Sequence, residues 1–141
     1  MSGNKGALWL AAFVLAAVAF LAGYWFGQPS RSYIGQAAVV TGVGLAAHAK
    51  IAVATFHSGN GQFPSSNAEA GLPAAERIAD RYVSSIAIGS QGAITVTYQG
   101  ERALQGKTLV LRPTVIDDGY AITWSCSGGT LPAELRPEAC R

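Results

Sequence analysis

The sequence predicts an α+β protein: a long amino-terminal helix, its first half transmembrane, packed on a four-stranded antiparallel sheet, with a disulfide loop at the end. Three observations carry this. A stretch of 25 residues without a formal charge lies between Lys5 and Arg31, a helical repeat follows as far as Phe56, and four alternating runs separated by turn residues fill Tyr82 to Cys126. At 141 residues the chain has the length of one ordinary domain. Charged residues make up 13% and hydrophobic ones 50%, with a mean hydropathy of +0.26, which excludes a disordered chain. Ten Lys+Arg against eight Asp+Glu leave +2, too near balance for a protein that binds by neutralising phosphates, so the composition argues against a nucleic-acid partner.

The first element runs from Gly6 to Gly27 and reads GALWLAAFVLAAVAFLAGYWFG. At ~1.5 Å per residue it crosses the ~30 Å of a bilayer's hydrocarbon. Trp9 near one end and Tyr24, Trp25 and Phe26 near the other suit the two interfaces. A secretory signal peptide is the alternative, but Tyr24-Trp25-Phe26 stands where its small-residue cleavage site belongs. Pro29 is expected to bend or interrupt the helix, because proline lacks the N–H donor and its ring clashes with the preceding turn.

The helical pattern resumes at Tyr33. Ile34, Ala38, Thr41, Leu45, His48, Ala52 and Phe56 recur in steps of three or four, and this stripe is expected to face a packed domain. Gly35, Gly42 and Gly44 each cost up to about 1 kcal/mol relative to alanine unless close packing needs them. Ser58-Gly59-Asn60-Gly61 ends the helix, and Phe63-Pro64 opens an ordered connection to about Ala79. Tyr82 to Ile88, Ala93 to Tyr98, Thr108 to Pro113 and Ala121 to Cys126 then alternate as strands. Gly89-Ser90-Gln91-Gly92, Gln99 to Gly106 and Asp117-Asp118-Gly119 connect them as an antiparallel meander, whose apolar face the helix covers. The boundaries follow: a short cytoplasmic leader-like segment at 1–5, the transmembrane helix at 6–28, its continuation on the sheet at 29–57, and the globular part at 58–141.

Cys126 and Cys140 lack the CxxC spacing of a zinc or redox site, so a structural disulfide closing the loop 126–140 is the simplest reading, with two unpaired buried thiols as the alternative. Such a bridge persists in an oxidising compartment, which puts the carboxyl-terminal part outside the cytoplasm and the amino terminus inside.

Little else carries chemistry. His48 and His57 are nine residues apart and share no metal-ligand spacing. Asp117-Asp118-Gly119 reads as a turn rather than a cation site, and Ser125-Cys126-Ser127 has no base nearby in sequence. Arg102, Lys107 and Arg112 fall on or beside adjacent strands and form a possible basic edge. No cofactor, metal or catalytic activity is expected.

GNGQFPSSNAEAGLPAAERIADRYVSSIAI, GAITVTY, ALQGKTLVLRPT and ITWSCSGGTLPAELRPEACR are similar, in order and spacing, to the globular half of a type IVa pilin with its terminal disulfide loop. Lys5-Gly6 resembles the Lys-Gly that precedes the prepilin peptidase cut. The chain departs from the family after Gly6: it reads Ala-Leu-Trp-Leu-Ala where the family has a Phe-Thr-Leu-Ile-Glu type of sequence, so Ala11 occupies the glutamate position. Alanine cannot offset a neighbour's terminal amine in an apolar filament core. The resemblance implies a pilin-like fold and a bacterial inner-membrane protein with its carboxyl-terminal domain in the periplasm, or a place in a surface pilus. It further implies a structural role in adhesion or motility, with other pilin subunits met through the amino-terminal helix, the membrane and the pilus assembly machinery as partners. The alternatives are an uncleaved anchored accessory that binds pilus components without polymerising and, behind it, a DNA-uptake receptor.

Overall fold

The computed structural model describes residues 5–26, 31–119 and 121–141. Residues 1–4 of the leader-like segment, residues 27–30 with the expected Pro29 interruption, and Tyr120 lie outside the described residues. The chain divides into two compact units, Met1–Arg31 and Ser32–Arg141. The first holds the helix α1 (Lys5–Phe26), whose described side chains are all exposed.

The next helix, α2 (Arg31–Asn60), lies in the second unit in all but its first residue. It stops because Gly61 takes a φ of 71°, a left-handed conformation that costs glycine nothing, while its N–H donates to the His57 carbonyl at 2.8 Å. Asn60 Nδ2 donates to the Phe56 carbonyl at 2.9 Å, satisfying a second acceptor of the last turn.

Four strands follow, β1 (Val83–Ile88), β2 (Ile94–Tyr98), β3 (Thr108–Ile116) and β4 (Ala121–Gly128), antiparallel and in the order β1-β2-β3-β4. β3 outruns the length expected of it because it continues past the last β2 pair, Ile94 with Leu111, and pairs there with β4 alone, while β4 runs on beyond Cys126 to Gly128, opposite Val110. Pro113 sits on that one-neighbour stretch, where a residue without an N–H is tolerated. The β3–β4 turn is built on left-handed residues, with φ of 52° at both Asp117 and Asp118 and 104° at Gly119, matching the twist of the flanking strands. In the longer β2–β3 connection Leu104 is fully buried and the Gly106 N–H returns to the Tyr98 carbonyl at 3.0 Å, so this loop is pinned to the core.

The core lies between α2 and one face of the sheet. Ile86, Ile94, Val96, Tyr98 and Leu109 from the strands meet Ala38, Val39, Ala46, Ala49 and Val53 of α2. The stripe expected to face the sheet therefore needs correcting: Thr41 and His48 are exposed, and the buried line runs through Gly35, Ala38, Gly42, Ala46, Ala49 and Val53. Size decides the rotation. Large strand side chains fill the gap between the layers, and the helix meets them with its smallest residues.

The connection after Gly61 is held by one side chain. Asn67, 9% exposed, donates from Nδ2 to the carbonyls of Pro73 at 2.9 Å and Ile86 at 3.0 Å, and accepts from the Ile88 N–H at 2.6 Å. Its amide thus completes both a turn of the loop and the free side of β1. Asn67→Ala leaves these buried backbone groups without a partner, at about 1 to 3 kcal/mol apiece for those that water cannot reach. We expect a fall in melting temperature of at least about 5 °C for a unit of this size. Thermal unfolding followed by circular dichroism checks it, and an unchanged midpoint shows the loop is held by other means.

Candidate functional site

α1 is built from residues with no use in water. Trp9, Leu10, Phe13, Val14, Leu15, Val18, Phe20, Leu21 and Tyr24 are 57% to 77% exposed and point all around the helix. With 22 residues it is about 33 Å long, the thickness of a bilayer's hydrocarbon. α2 is also long and apolar enough to span a membrane, but a third of its apolar window is buried within its own unit. A helix committed along one side to a sheet cannot also offer its whole circumference to lipid, so α1 is the candidate anchor.

Two contacts fix how α2 sits against its unit. The ring of Tyr98 lies on Gly42, where a Cβ would come within 2.5 to 2.8 Å of Cε1, Cζ and the hydroxyl oxygen. The Tyr98 hydroxyl donates to the Val39 carbonyl at 3.1 Å, and burial pushes this phenol well above its ordinary range, so it stays a neutral donor. Nearer the start of α2, Leu135 packs on Gly35 and Gln36 Nε2 donates to the Glu134 carbonyl at 3.3 Å. Gly44, by contrast, faces outward with nothing within 4 Å of its Cβ position.

Cys126 and Cys140 are bonded, with their Cα atoms 4.7 Å apart. The loop between them folds around Arg136. Its guanidinium donates from Nε to the Leu131 carbonyl at 2.8 Å, from Nη2 to Gly129 at 3.0 Å and from Nη1 to Ser127. A planar group with donors in a fixed fork suits three carbonyls converging from one bend. Thr108 and Thr130 add reciprocal bonds, each N–H to the other's hydroxyl, at 3.0 and 3.1 Å.

The remaining sequence candidates do not converge. Arg102 and Lys107 are exposed at the β2–β3 connection, whereas Arg112 is exposed on β3 opposite Ser125. Lys107 and Arg112 are thus five strand residues apart, about 16 Å, and one phosphate cannot meet both. His48 is exposed, while His57 stacks on Phe63 with ring centroids 4.5 Å apart. Among the described residues no three His, Cys, Asp or Glu side chains cluster as a metal site requires. A cleft of about 760 Å³ opens between the last turns of α2 and the β3–β4 hairpin, lined by Ala54, His57, Val115, Ile122 and Trp124 among others, with no carboxylate or thiol in its described lining. Sequence reasoning missed Asn67, Leu104 and Arg136, and nothing in their spacing marks them.

A sequence model of the pilins, described as a bacterial filament family, matches residues 35–141. The chain belongs to the pilin family. This pilin is also 32% identical over 117 residues to the "Fimbrial protein EcpC" of Eikenella corrodens, a match covering 79% of the chain and 73% of that relative. The family match opens at Gly35, the residue where α2 meets Leu135. It takes in the sheet and the disulfide loop, and leaves α1 and Ala11 outside the matched stretch.

Proposed function

We infer that this pilin is a membrane-anchored structural protein that works by contact rather than catalysis, as a subunit or associated component of a surface filament in adhesion or motility. The observation that carries the reading is a bare apolar helix joined to a disulfide-closed pilin domain. α1 has every described side chain exposed, so it needs either lipid or other helices around it. A subunit of this kind leaves the bilayer by exchanging lipid for neighbouring α1 helices, which keeps its apolar surface covered throughout. In the proposed arrangement residues 1–5 stay in the cytoplasm, Gly6 onward spans the inner membrane and the sheet faces the periplasm. The disulfide loop then supplies subunit or adhesive contacts. The likeness to a protein named as fimbrial supports the filament role.

Ala11 favours a second reading. With no carboxylate in α1, an amine created by cutting after Gly6 has no partner in an apolar bundle, so an uncut anchor that binds pilus components without polymerising is chemically simpler. A DNA-uptake role stands behind both, given the separation of Arg112 from Lys107.

Mass spectrometry of the mature amino terminus, together with the protein content of sheared filaments, tests the reading. A terminus at Ala7 in a chain recovered from filaments is the result expected of a subunit. A chain that keeps Met1 to Lys5 in cells with active peptidase, and is missing from filaments, sinks the subunit reading in favour of the accessory.

A further inference from the structure

β4 is the last strand of the sheet and has β3 on one flank only. Among the described residues no main-chain N–H or carbonyl of Ala121 to Ser125 bonds to anything but β3, whereas farther along the strand the Ser127 carbonyl is taken by Arg136. Exposed strand edges are normally blunted by charged side chains, proline or an irregularity. Ala121-Ile122-Thr123-Trp124-Ser125 has no charge and no proline, and the register shift of the β3–β4 pair falls beyond it, between Ser125 and Gly128. Thr123 and Ser125 are exposed on the outer face, and the half-buried Ile122 and Trp124 turn to the other side, towards α2.

The α2 side of this edge is not filled. Two hollows, of about 760 and 380 Å³, adjoin there and share Ala54 and Trp124 in their walls. Ala47, Lys50, Ala54 and His57, spaced by three or four residues along α2, form the opposite bank. The result is a trough between a helix and a strand whose outer main-chain groups are unused, the setting in which an extended peptide is taken up as an added strand. Charge distinguishes its two ends. Lys50 Nζ stands 5.3 Å from the centroid of the Trp124 ring, and neither hollow has a carboxylate in its described lining. At the other end the turn that precedes Ala121 carries Asp117 and Asp118, both exposed.

We propose that the trough takes an extended segment of a different protein, lying antiparallel to β4 as a further strand. The segment has an acidic residue at the Lys50 end, a basic one at the Asp117-Asp118 end, and large apolar residues in alternate positions between them. Alternate side chains of a strand stand about 7 Å apart on one face, so successive apolar ones reach the two hollows that meet at Trp124. The antiparallel sense gives the more stable pairing per residue. At about 3.4 Å per residue the open stretch from Ala121 to Ser125 is about 17 Å long, so main-chain bonds alone are few and the hollows and charges supply the selectivity. A second copy's β4 does not meet these demands, because Ala-Ile-Thr-Trp-Ser brings no acid to Lys50 and no base to Asp117 and Asp118.

The test uses the full chain in detergent and the peptide Glu-Thr-Phe-Thr-Val-Thr-Lys, capped at both ends, with members of a set in which Leu, Ile, Tyr or Trp replaces Phe or Val. Binding is followed by fluorescence anisotropy of the labelled peptides and by amide hydrogen exchange of the protein. We expect saturable binding by members of the set and slower exchange within Ala121 to Ser125. An added strand directs its N–H groups at β4 only from alternate residues, so N-methylation at the two apolar residues and N-methylation at the three Thr residues must differ: one pattern abolishes binding and the other spares it. Lys50→Glu is expected to weaken binding at least about tenfold, and a peptide with Lys in place of its Glu to recover it. Ala47→Glu, at an exposed position of the same bank, gives the same result if Lys50→Glu lowers the melting temperature. Equal effects of the two methylation patterns show that side chains alone hold the peptide and overturn the added strand. Binding indifferent to both charge variants overturns the assignment of its ends. No binding by any member overturns the proposal outright, as does slow exchange of Ala121 to Ser125 in peptide-free dimers of the chain, which makes a second copy the occupant.

Discussion

Gly42→Ala lowers the melting temperature of this pilin even though alanine is the better helix former. In an isolated helix the substitution gains up to about 1 kcal/mol. Here the new methyl lands 2.5 to 2.8 Å from three atoms of the Tyr98 side chain. That ring has nowhere to retreat: it is fully buried and its hydroxyl is bonded to the Val39 carbonyl. Overpacking a closed site costs about 1 to 3 kcal/mol, and losing the hydroxyl bond adds about 1 kcal/mol. The net effect is a loss of about 2 kcal/mol, or roughly 10 °C. Gly44→Ala, two residues on, serves as the opposite control. Its Cβ meets nothing within 4 Å, so it is expected to raise the midpoint by a few degrees. The two variants measured side by side by calorimetry decide the matter, since a rise in both would mean that Tyr98 does not hold its place on Gly42.

Reducing the Cys126–Cys140 bridge is the second large effect. The bridge closes a loop across a sequence separation of 14, which restricts the unfolded chain by about 3 kcal/mol, and more than about 10 °C of melting temperature is expected to disappear with it. The same result is expected of Cys140→Ser. The loop does not come free when the bridge is cut, because Arg136 still holds the carbonyls of Leu131, Gly129 and Ser127. Arg136→Ala is therefore expected to cost more in reduced protein than in oxidised protein, a coupling that a double-mutant cycle in melting temperature measures. Equal costs in the two states would show that the guanidinium and the bridge act independently.

The sequence makes plain whatever repeats or punctuates. The apolar span, the four alternating runs and the turn at Asp117-Asp118-Gly119 follow from periods of 3.6 and 2 and from residues that accept left-handed φ. The rotation of α2 was not legible in the same way. A stripe through Thr41 and His48 satisfies the helical period as well as the observed one does, and only the bulk of Tyr98, Ile94 and Leu109 on the facing layer selects the line of glycines and alanines. Asn67 and Arg136 were hidden for a related reason. Each bonds to backbone carbonyls whose positions depend on the completed fold, and no local pattern announces them. The glycines were half legible: the cost at Gly42 and Gly44 was evident, but which of them repays it by packing depended on where the ring of Tyr98 came to rest.

The amide of Asn67 has an effect on the margins of the sheet. By bonding to Ile86 and Ile88 it seals the β1 border, while β4 holds the opposite border with a strand on one flank only, Arg136 reaching no farther than Ser127. The sheet is thereby polarised from side to side. Among the described residues, a chain that extends the sheet, whether a rightful neighbour or an aggregating one, meets the more open border along Ala121 to Ser125.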